Sequence, residues 1–224
     1  MQNRNPYSKQ LSESEIAAGV HRDFVGGLWK ELGRLQIDFL VSQGLQPHHT
    51  LVDIGCGALR GGLFFVQYLA PGHYYGLDIN HSLIEAGKME LEKAGLRERQ
   101  PHLLVNDQFG LSAFGVMFDF ALAQSLFTHL CWNHVLCCLA QTRQVLGSQG
   151  RFYATFFEAL SSVHLEPITH LPGNIQTHYD QDPYHYSFEE MQMMARLTGW
   201  QVELVGEWGH PRSQHMLVFT PQYR

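Results

Sequence analysis

Long apolar runs, a secretion signal and abundant cysteine are all missing from this sequence. No apolar run among its 224 residues reaches the roughly 18 to 20 residues that a membrane-spanning helix needs. The amino terminus, residues 1–7, lacks the apolar core of a secretory signal peptide. The four cysteines of such a chain are expected to be reduced rather than bridged. These absences predict a cytoplasmic protein that has no membrane partner.

Clustered positive charge and metal-binding spacings are also missing. The 15 Lys and Arg residues are scattered, and 21 Asp and Glu residues bring the formal charge to −6. Nucleic-acid binders need a basic face, so no nucleic-acid partner is predicted. Fourteen histidines are present, but neither C-x-x-C nor H-E-x-x-H occurs. We therefore predict core cysteines and a solvent-facing histidine at the helical positions Cys131, His134, Cys137 and Cys138. No metal is predicted.

Strand and helix patterns alternate along most of the chain. Apolar runs predict strands at residues 51–54, 73–80, 102–107, 118–123, 151–157, 201–206 and 215–220. Residues 21–43 have apolar side chains at helical spacing, but the Gly26-Gly27 pair indicates a bend, a close approach to a ligand or a helix break. Capping-box spacings place helix starts at Ser12, Ser82 and Ser187. The alternation predicts an α/β fold, and the length suits one domain.

A glycine-rich stretch follows the first predicted strand. Asp53 is followed by Gly55 and Gly57, and Gly61-Gly62 open a helix. Such a turn lets a ligand approach the backbone closely and meet helix N–H groups. The dinucleotide fingerprint G-x-G-x-x-G would have its third glycine at position 60, where this chain has Arg60. The stretch therefore predicts a nucleotide-type cofactor site of another kind, at the carboxyl end of the first strand.

The order acid-x-Gly-x-Gly is similar to motif I of the class I S-adenosylmethionine-dependent methyltransferases, and the resemblance extends over residues 20–220. It implies a single-domain three-layer α/β sandwich whose seven-stranded sheet is mostly parallel and ends in an antiparallel hairpin. Within 1–224 the expected parts are the lid helices at 1–46, the cofactor-binding core at 47–157, a substrate cap at 158–186 and a closing helix and hairpin at 187–224.

The resemblance also implies a cofactor, S-adenosyl-L-methionine, and a product, S-adenosyl-L-homocysteine. Asp78 lies about 20 residues past the glycines, where a carboxylate can accept both ribose hydroxyls. Asp107, together with the backbone at Gln108, is expected to face the adenine, although an aspartate here also suits a plain turn. The full set of predicted cofactor contacts is Asp53, Gly55, Cys56, Gly57, Arg60, Asp78, Ile79, Asn80, Asn106, Asp107, Gln108, Gln124 and Ser125.

His129 is the leading candidate for chemistry, because the resemblance places the segment after the fourth strand beside the transferred methyl group. A histidine suits a general base, although it can equally orient the loop or contact the cofactor. Tyr179, His185 and Tyr186, in the aromatic segment 158–186, are candidates to bind or act on the substrate or simply to pack. A long irregular insert of this kind is usually functional.

The predicted activity is methyl transfer to a small molecule by in-line displacement, with positioning and exclusion of water as the main contributions. Metal-dependent O-methyltransferases have acidic residues where this chain has Ala123-Gln124, and the D/N-P-P-Y/F motif of nucleic-acid enzymes does not follow the fourth strand. Two alternatives stay open: attack on the methionine chain of the cofactor, which would release methylthioadenosine, and a non-catalytic or nicotinamide-binding module. A homodimer is compatible with the sequence.

Overall fold

The computed structural model of the protein describes residues 6–222. Contacts group the chain into two compact units, one of Pro6–Phe114 and one that runs from Gly115 onward. The ends of the expected lid and hairpin segments, residues 1–5 and 223–224, lie outside the described residues. The division into four parts within a single domain stays a prediction, and the boundary between the two units falls inside the expected cofactor-binding core.

The unit Pro6–Phe114 contains three parallel strands and five α-helices. Its strands are β1 (Leu51–Ile54), β2 (Tyr74–Asp78) and β3 (His102–Val105), and its helices are α1 (Glu13–Ala17), α2 (Val20–Phe24), α3 (Trp29–Ser42), α4 (Gly62–Tyr68) and α5 (His81–Lys93). Residues 55–61, hereafter the glycine turn, join β1 to α4. All residues of β1 and β2 are buried, as the continuous apolar runs predicted.

The amino-terminal helices pack against the glycine turn and α5. Leu11 and Ala58 form a buried cluster with Leu83 and Ala86, against which Ile16, Phe24, Val25 and Trp29 pack. The Gly26-Gly27 pair breaks the helix expected over 21–43, because both glycines and Leu28 have positive φ angles (91°, 62° and 47°). The chain therefore turns sharply between α2 and α3.

The unit that begins at Gly115 holds the remaining elements. They are β4 (Phe118–Ala123), α6 (Trp132–Val145), β5 (Leu146–Phe156), β6 (Ile168–His170), β7 (Ile175–Thr177), α7 (Phe188–Leu197), β8 (Trp200–Gly206) and β9 (His215–Pro221). Strand β4 is parallel to β5, and β9 is antiparallel to both β5 and β8. Aromatic rings from β5, β8 and β9 pack together in its core, with the centroids of Phe152 and Phe219 5.6 Å apart.

The predicted fold class is confirmed. Seven strands form one mostly parallel sheet in the order β3-β2-β1-β4-β5-β9-β8. The last two strands in sequence, β8 and β9, are the antiparallel pair expected at the carboxyl end. The segment 158–186 was expected to be irregular, but it contains the small antiparallel pair β6–β7. Its short strands alternate too little in hydrophobicity to be recognised from sequence.

Two of the three predicted capping boxes are present. Ser12 and Ser187 each accept the backbone N–H three residues on, from Glu15 and Glu190, and begin α1 and α7. The third is wrong, because α5 begins two residues earlier with Asn80, whose side chain accepts from the Leu83 N–H. Within residues 6–222, no helix has both the length and the apolar character needed to cross a membrane.

Gly33 permits the close approach of α3 to the glycine turn. A Cβ atom here would lie 2.5 Å from the Arg60 carbonyl oxygen and 2.6 Å from the Phe64 ring. We expect Gly33→Ala to lower the free energy of unfolding by about 1–3 kcal/mol, as overpacking does. Gly147→Ala is the control, since its Cβ would make only an ordinary 3.5 Å contact. Equal melting temperatures for the two variants would contradict this explanation.

Candidate functional site

The carboxyl ends of β1, β2 and β3 lie at one edge of the sheet. In the parallel pairings Ile54 is opposite Leu77, and Asp78 is opposite Val105. The backbone N–H of Asn106 continues the ladder by donating to the Asp78 carbonyl at 2.9 Å. The residues that follow these three strands therefore converge at the edge where open α/β sheets bind ligands.

The glycine turn folds back onto the end of β2. The N–H groups of Gly55 and Cys56 both donate to the Leu77 carbonyl, at 2.7 and 3.1 Å. Gly55 and Gly57 have φ angles of 76° and 55°, a conformation that L residues other than glycine rarely adopt. A Cβ on Gly57 would also lie 3.2 Å from the Val25 methyl. Both glycines are thus required by backbone conformation, and Gly57 also by packing.

Asp78 fixes the turn relative to β2 and α5. One carboxylate oxygen accepts from the Gly57 N–H and the other from the Asn80 N–H, each at 2.8 Å. The side chain is buried, and this burial raises the pKa of Asp78 although the backbone donors oppose the shift. Each carboxylate oxygen has further lone-pair capacity, so the group can accept additional hydrogen bonds from a ligand.

Asp53 lies beneath the glycine turn and is bonded to β2. Its carboxylate accepts from the Tyr74 hydroxyl at 2.9 Å. Burial raises the pKa of Asp53 to about 7, with Asp78 adding to the rise, while the Tyr74 hydroxyl and Arg60 act against it. Tyr74 was missed by the sequence analysis, because a tyrosine in an apolar strand pattern carries no signal that its hydroxyl supports a site.

Arg60 and Asn80 connect the site to the amino-terminal segment. The Arg60 guanidinium donates to the carbonyls of Val25 and Gly27, both at 2.9 Å, and is buried. The Asn80 amide donates to the carbonyls of Tyr7 and Lys9 at 2.7 and 2.8 Å. Both residues were predicted to contact the cofactor. In the structure these bonds hold residues 7–27 against the rest of this unit, and the cofactor contacts stay predictions.

The remaining predicted contacts of this unit differ in exposure. Asn106 forms a turn, because its side-chain oxygen accepts from the N–H groups of Gln108 and Gly110. Asp107, Gln108 and Ile79 are exposed at the same edge. Cys56 is buried, and desolvation raises the pKa of its thiol well above the usual value.

The predicted contacts after β4 belong to a buried polar network in the second unit. Ser125 has a φ angle of 57°, its N–H donates to Thr155 Oγ1 at 2.7 Å, and its hydroxyl donates to Gln214 at 2.9 Å. Gln124 bonds to Ser125 and to His210. Thr155 lies in β5, and His210 and Gln214 both lie between β8 and β9, far from Ser125 in sequence. No local pattern therefore marks these three residues as its partners.

His129 pairs with a carboxylate in segment 158–186. Its Nδ1 atom lies 2.6 Å from Asp182 Oδ1, and the two side chains are 22% and 13% exposed. Tyr186, the second catalytic candidate, is buried and donates its hydroxyl to the Leu130 carbonyl at 2.6 Å, and burial raises its pKa. Its hydroxyl therefore supports the structure. Tyr179, the third, is 47% exposed with its ring centroid 6.4 Å from that of His164.

No group of three or more His, Cys, Asp or Glu side chains within residues 6–222 is arranged to hold a metal ion. His134 does lie near Cys131, with Nδ1 3.5 Å from Sγ, but the absence of a metal stays a prediction.

The buried Asp53 carboxylate predicts a pH-dependent stability. Its folded-state pKa of about 7 exceeds the ordinary value of 3.8 for an aspartate, so between these pH values the folded protein holds a proton that the unfolded chain has lost. The contribution of Asp53 to the free energy of unfolding therefore falls by up to about 4 kcal/mol as the pH rises through that window. We expect Asp53→Asn to lose this dependence and Tyr74→Phe to extend it to higher pH, as measured by melting temperatures from pH 4 to 9. An Asp53→Asn profile parallel to the wild type would contradict the assignment.

Comparison with known proteins agrees with this fold. A family model described as "Methyltransferase domain" matches residues 52–152. The methyltransferase CcbJ of Streptomyces caelestis superposes with a TM-score of 0.68 at 14% identity, covering 98% of this chain and 99% of that one. An S-adenosylmethionine-dependent methyltransferase of Clostridium acetobutylicum gives 0.66 at 10% identity, with 95% and 100% covered.

A third similar structure is the magnesium protoporphyrin IX methyltransferase of Synechocystis PCC 6803 with bound SAH, at a TM-score of 0.61, 14% identity and coverage of 98% and 92%. The matched segment runs from β1 through the glycine turn and β2 into β5, and so includes the aligned strand ends described above. Residues 52–152 therefore match a methyltransferase domain model, and the chain has the fold of S-adenosylmethionine-dependent methyltransferases.

Proposed function

We propose that the protein binds S-adenosyl-L-methionine and transfers its methyl group to a small-molecule acceptor, releasing S-adenosyl-L-homocysteine. The observation that carries this proposal is the Asp78 carboxylate at the end of β2, fixed by the Gly57 and Asn80 N–H groups beside the glycine turn. A carboxylate in this position can accept the ribose hydroxyls of a nucleoside. The similar Synechocystis enzyme has been solved with bound SAH and with bound SAM, which supports the choice of cofactor.

The charges around the turn favour a sulfonium cofactor over a dinucleotide. Asp53 and Asp78 are buried there, and each tends to raise the pKa of Cys56 as well. A ligand that brings positive charge and hydroxyl donors lowers the free-energy cost of burying two carboxylates. A pyrophosphate, which is negatively charged, raises that cost. The exposed Asp107 and Gln108 beyond β3 are the proposed adenine contacts. The other proposed cofactor contacts of this unit are Gly55, Cys56, Gly57, Arg60, Ile79, Asn80 and Asn106.

Methyl transfer requires little covalent chemistry from the protein. The acceptor attacks the methyl carbon in line, and the carbon–sulfur bond breaks with its electron pair going to sulfur. Holding the reacting atoms about 3 Å apart and aligned supplies much of the acceleration. When the acceptor is a hydroxyl, a proton must also leave, and His129 is the proposed base. Gln124 and Ser125 are the proposed cofactor contacts after β4. Tyr179 and Tyr186 stay proposed as residues that bind or act on the acceptor.

The first experiment is calorimetry with S-adenosylmethionine, S-adenosylhomocysteine and NADH, followed by mass spectrometry of the protein incubated with S-adenosylmethionine alone. Binding of both methionine-derived ligands without turnover is the expected result. Release of methylthioadenosine would show that the methionine chain of the cofactor is attacked, and it would contradict the proposed methyl transfer. A preference for NADH would reject the proposed cofactor altogether. A screen of small hydroxyl, amine and thiol compounds then identifies the acceptor by a mass gain of one methyl group.

Asp78→Asn tests the ribose contact directly. Loss of a charged acceptor should raise the Kd for S-adenosylhomocysteine by about tenfold or more, since such a hydrogen bond contributes roughly 1.5–3 kcal/mol. Glu92→Gln, which removes an exposed carboxylate from α5, is the matched control and should leave the Kd unchanged. Melting curves of both variants verify folding, because Asp78 also holds the backbone. An unchanged Kd in folded Asp78→Asn would rule out the contact.

We also predict that the protein is cytoplasmic, that it forms a homodimer and that it has no nucleic-acid partner. Sedimentation of the purified protein decides the oligomeric state.

A further inference from the structure

Asp182 meets His129 through a short contact between distant parts of the chain. The residues are 53 positions apart, and the Nδ1–Oδ1 distance is 2.6 Å. A carboxylate oxygen can only accept a hydrogen bond, so Nδ1 must be the donor. The neutral ring that donates from Nδ1 carries its basic lone pair on Nε2. The contact therefore determines which nitrogen of His129 is able to take up a proton.

The main chain on both sides of this pair is fixed. The Tyr184 N–H donates to the Thr128 carbonyl at 2.7 Å, and the Tyr186 hydroxyl donates to the Leu130 carbonyl at 2.6 Å. These two bonds join the neighbours of Asp182 to the residues that flank His129. The pair is thus held at both ends by bonds that do not involve either of its side chains, as a preorganised site requires.

The loop that carries Asp182 is also closed by its own bonds. The His178 N–H donates to the Pro183 carbonyl at 2.9 Å, and the His185 N–H donates to the His178 carbonyl at 3.1 Å. These two bonds close the main chain of residues 178–185 around Asp182.

The second oxygen of the carboxylate shows how dependent Asp182 is on His129. Asp182 Oδ2 is buried and has no hydrogen-bond partner among residues 6–222. Burying a carboxylate oxygen without a donor is costly unless the group gains a strong interaction elsewhere. The bond to His129 is such an interaction, and it becomes stronger when the ring is protonated and carries a positive charge.

We propose that Asp182 is a positioning residue that holds His129 in the Nδ1–H form and stabilises the imidazolium produced when the acceptor loses its proton. The inference rests on the proposed methyl transfer, and it makes a hydroxyl oxygen the acceptor atom. The hydroxyl proton passes to Nε2 of His129 as the oxygen bonds to the methyl carbon and the carbon–sulfur electron pair goes to sulfur. The imidazolium then returns the proton to water.

Nuclear magnetic resonance tests the arrangement without cofactor or acceptor. In protein labelled with ¹⁵N-histidine, long-range ¹H–¹⁵N correlations show which ring nitrogen carries the proton, and His129→Gln identifies the His129 signals. We expect the Nδ1–H form in the wild type. In Asp182→Asn we expect a shift toward the Nε2–H form, since the amide can donate to Nδ1. An Nε2–H ring in the wild type would overturn the proposal.

Glu158→Gln is the matched control. His215 Nδ1 lies 2.6 Å from Glu158 Oε2, which is a second close histidine–carboxylate pair in the same unit. This variant should change the His215 signals and leave those of His129 as in the wild type. A change at His129 would show that its form responds to remote charge rather than to Asp182, and would count against the proposal.

Kinetics with the acceptor found by the screen provide a second test. We expect Asp182→Asn to lower kcat by about 10²-fold or more, with KM changed by less than about threefold. If Asp182 acts only through His129, the double variant His129→Gln/Asp182→Asn should be no slower than His129→Gln alone. A further loss in the double variant would overturn the positioning role. Full activity of His129→Gln, with the Nδ1–H form present in the wild type, would instead reject the proposed base and leave the ring orientation standing.

Discussion

The carboxylate of Asp78 is the constraint on which the cofactor half of the molecule depends. Its two oxygens join the second glycine of the turn to the residue that begins α5. Three backbone segments, from β1, β2 and α5, are thereby held together by one side chain at the sheet edge. Because that carboxylate is buried, the arrangement costs desolvation free energy that backbone donors only partly offset. A ligand that supplies further donors therefore gains binding energy from a group that is already fixed in place.

Histidines paired with carboxylates recur through both units. In each long-range case an imidazole from one element meets an acid from another, as in His21–Glu90, His129–Asp182, His164–Glu190 and His215–Glu158. Burial alone would raise the pKa of Glu90, but hydrogen bonds from Arg22 and His21 lower it. Four of the fourteen histidines thus join distant elements through contacts with carboxylates, which hydrophobic patterning does not reveal.

The glycine turn, the strand ends and the hairpin could be predicted, because each depends on local chemistry: a positive φ angle, an apolar run or a turn residue. The start of α5 was misplaced because Asn80 and Ser82 are both good caps, and only the tertiary contacts of Asn80 decide between them. Asp182 was visible only as part of an Asp-Pro-Tyr sequence. Nothing local shows that its carboxylate meets a ring 53 positions away, and long-range pairing of this kind is set by the fold.

The bonds from Asn80 to the carbonyls of Tyr7 and Lys9 span 73 and 71 positions. Tyr7 and Lys9 therefore cannot form these two bonds until β2 and the start of α5 have been synthesised. Closing so large a loop is entropically unfavourable until the strands that bring its ends together are in place. The segment around Tyr7 and Lys9 is therefore expected to dock late in folding, although it is synthesised before its partner Asn80.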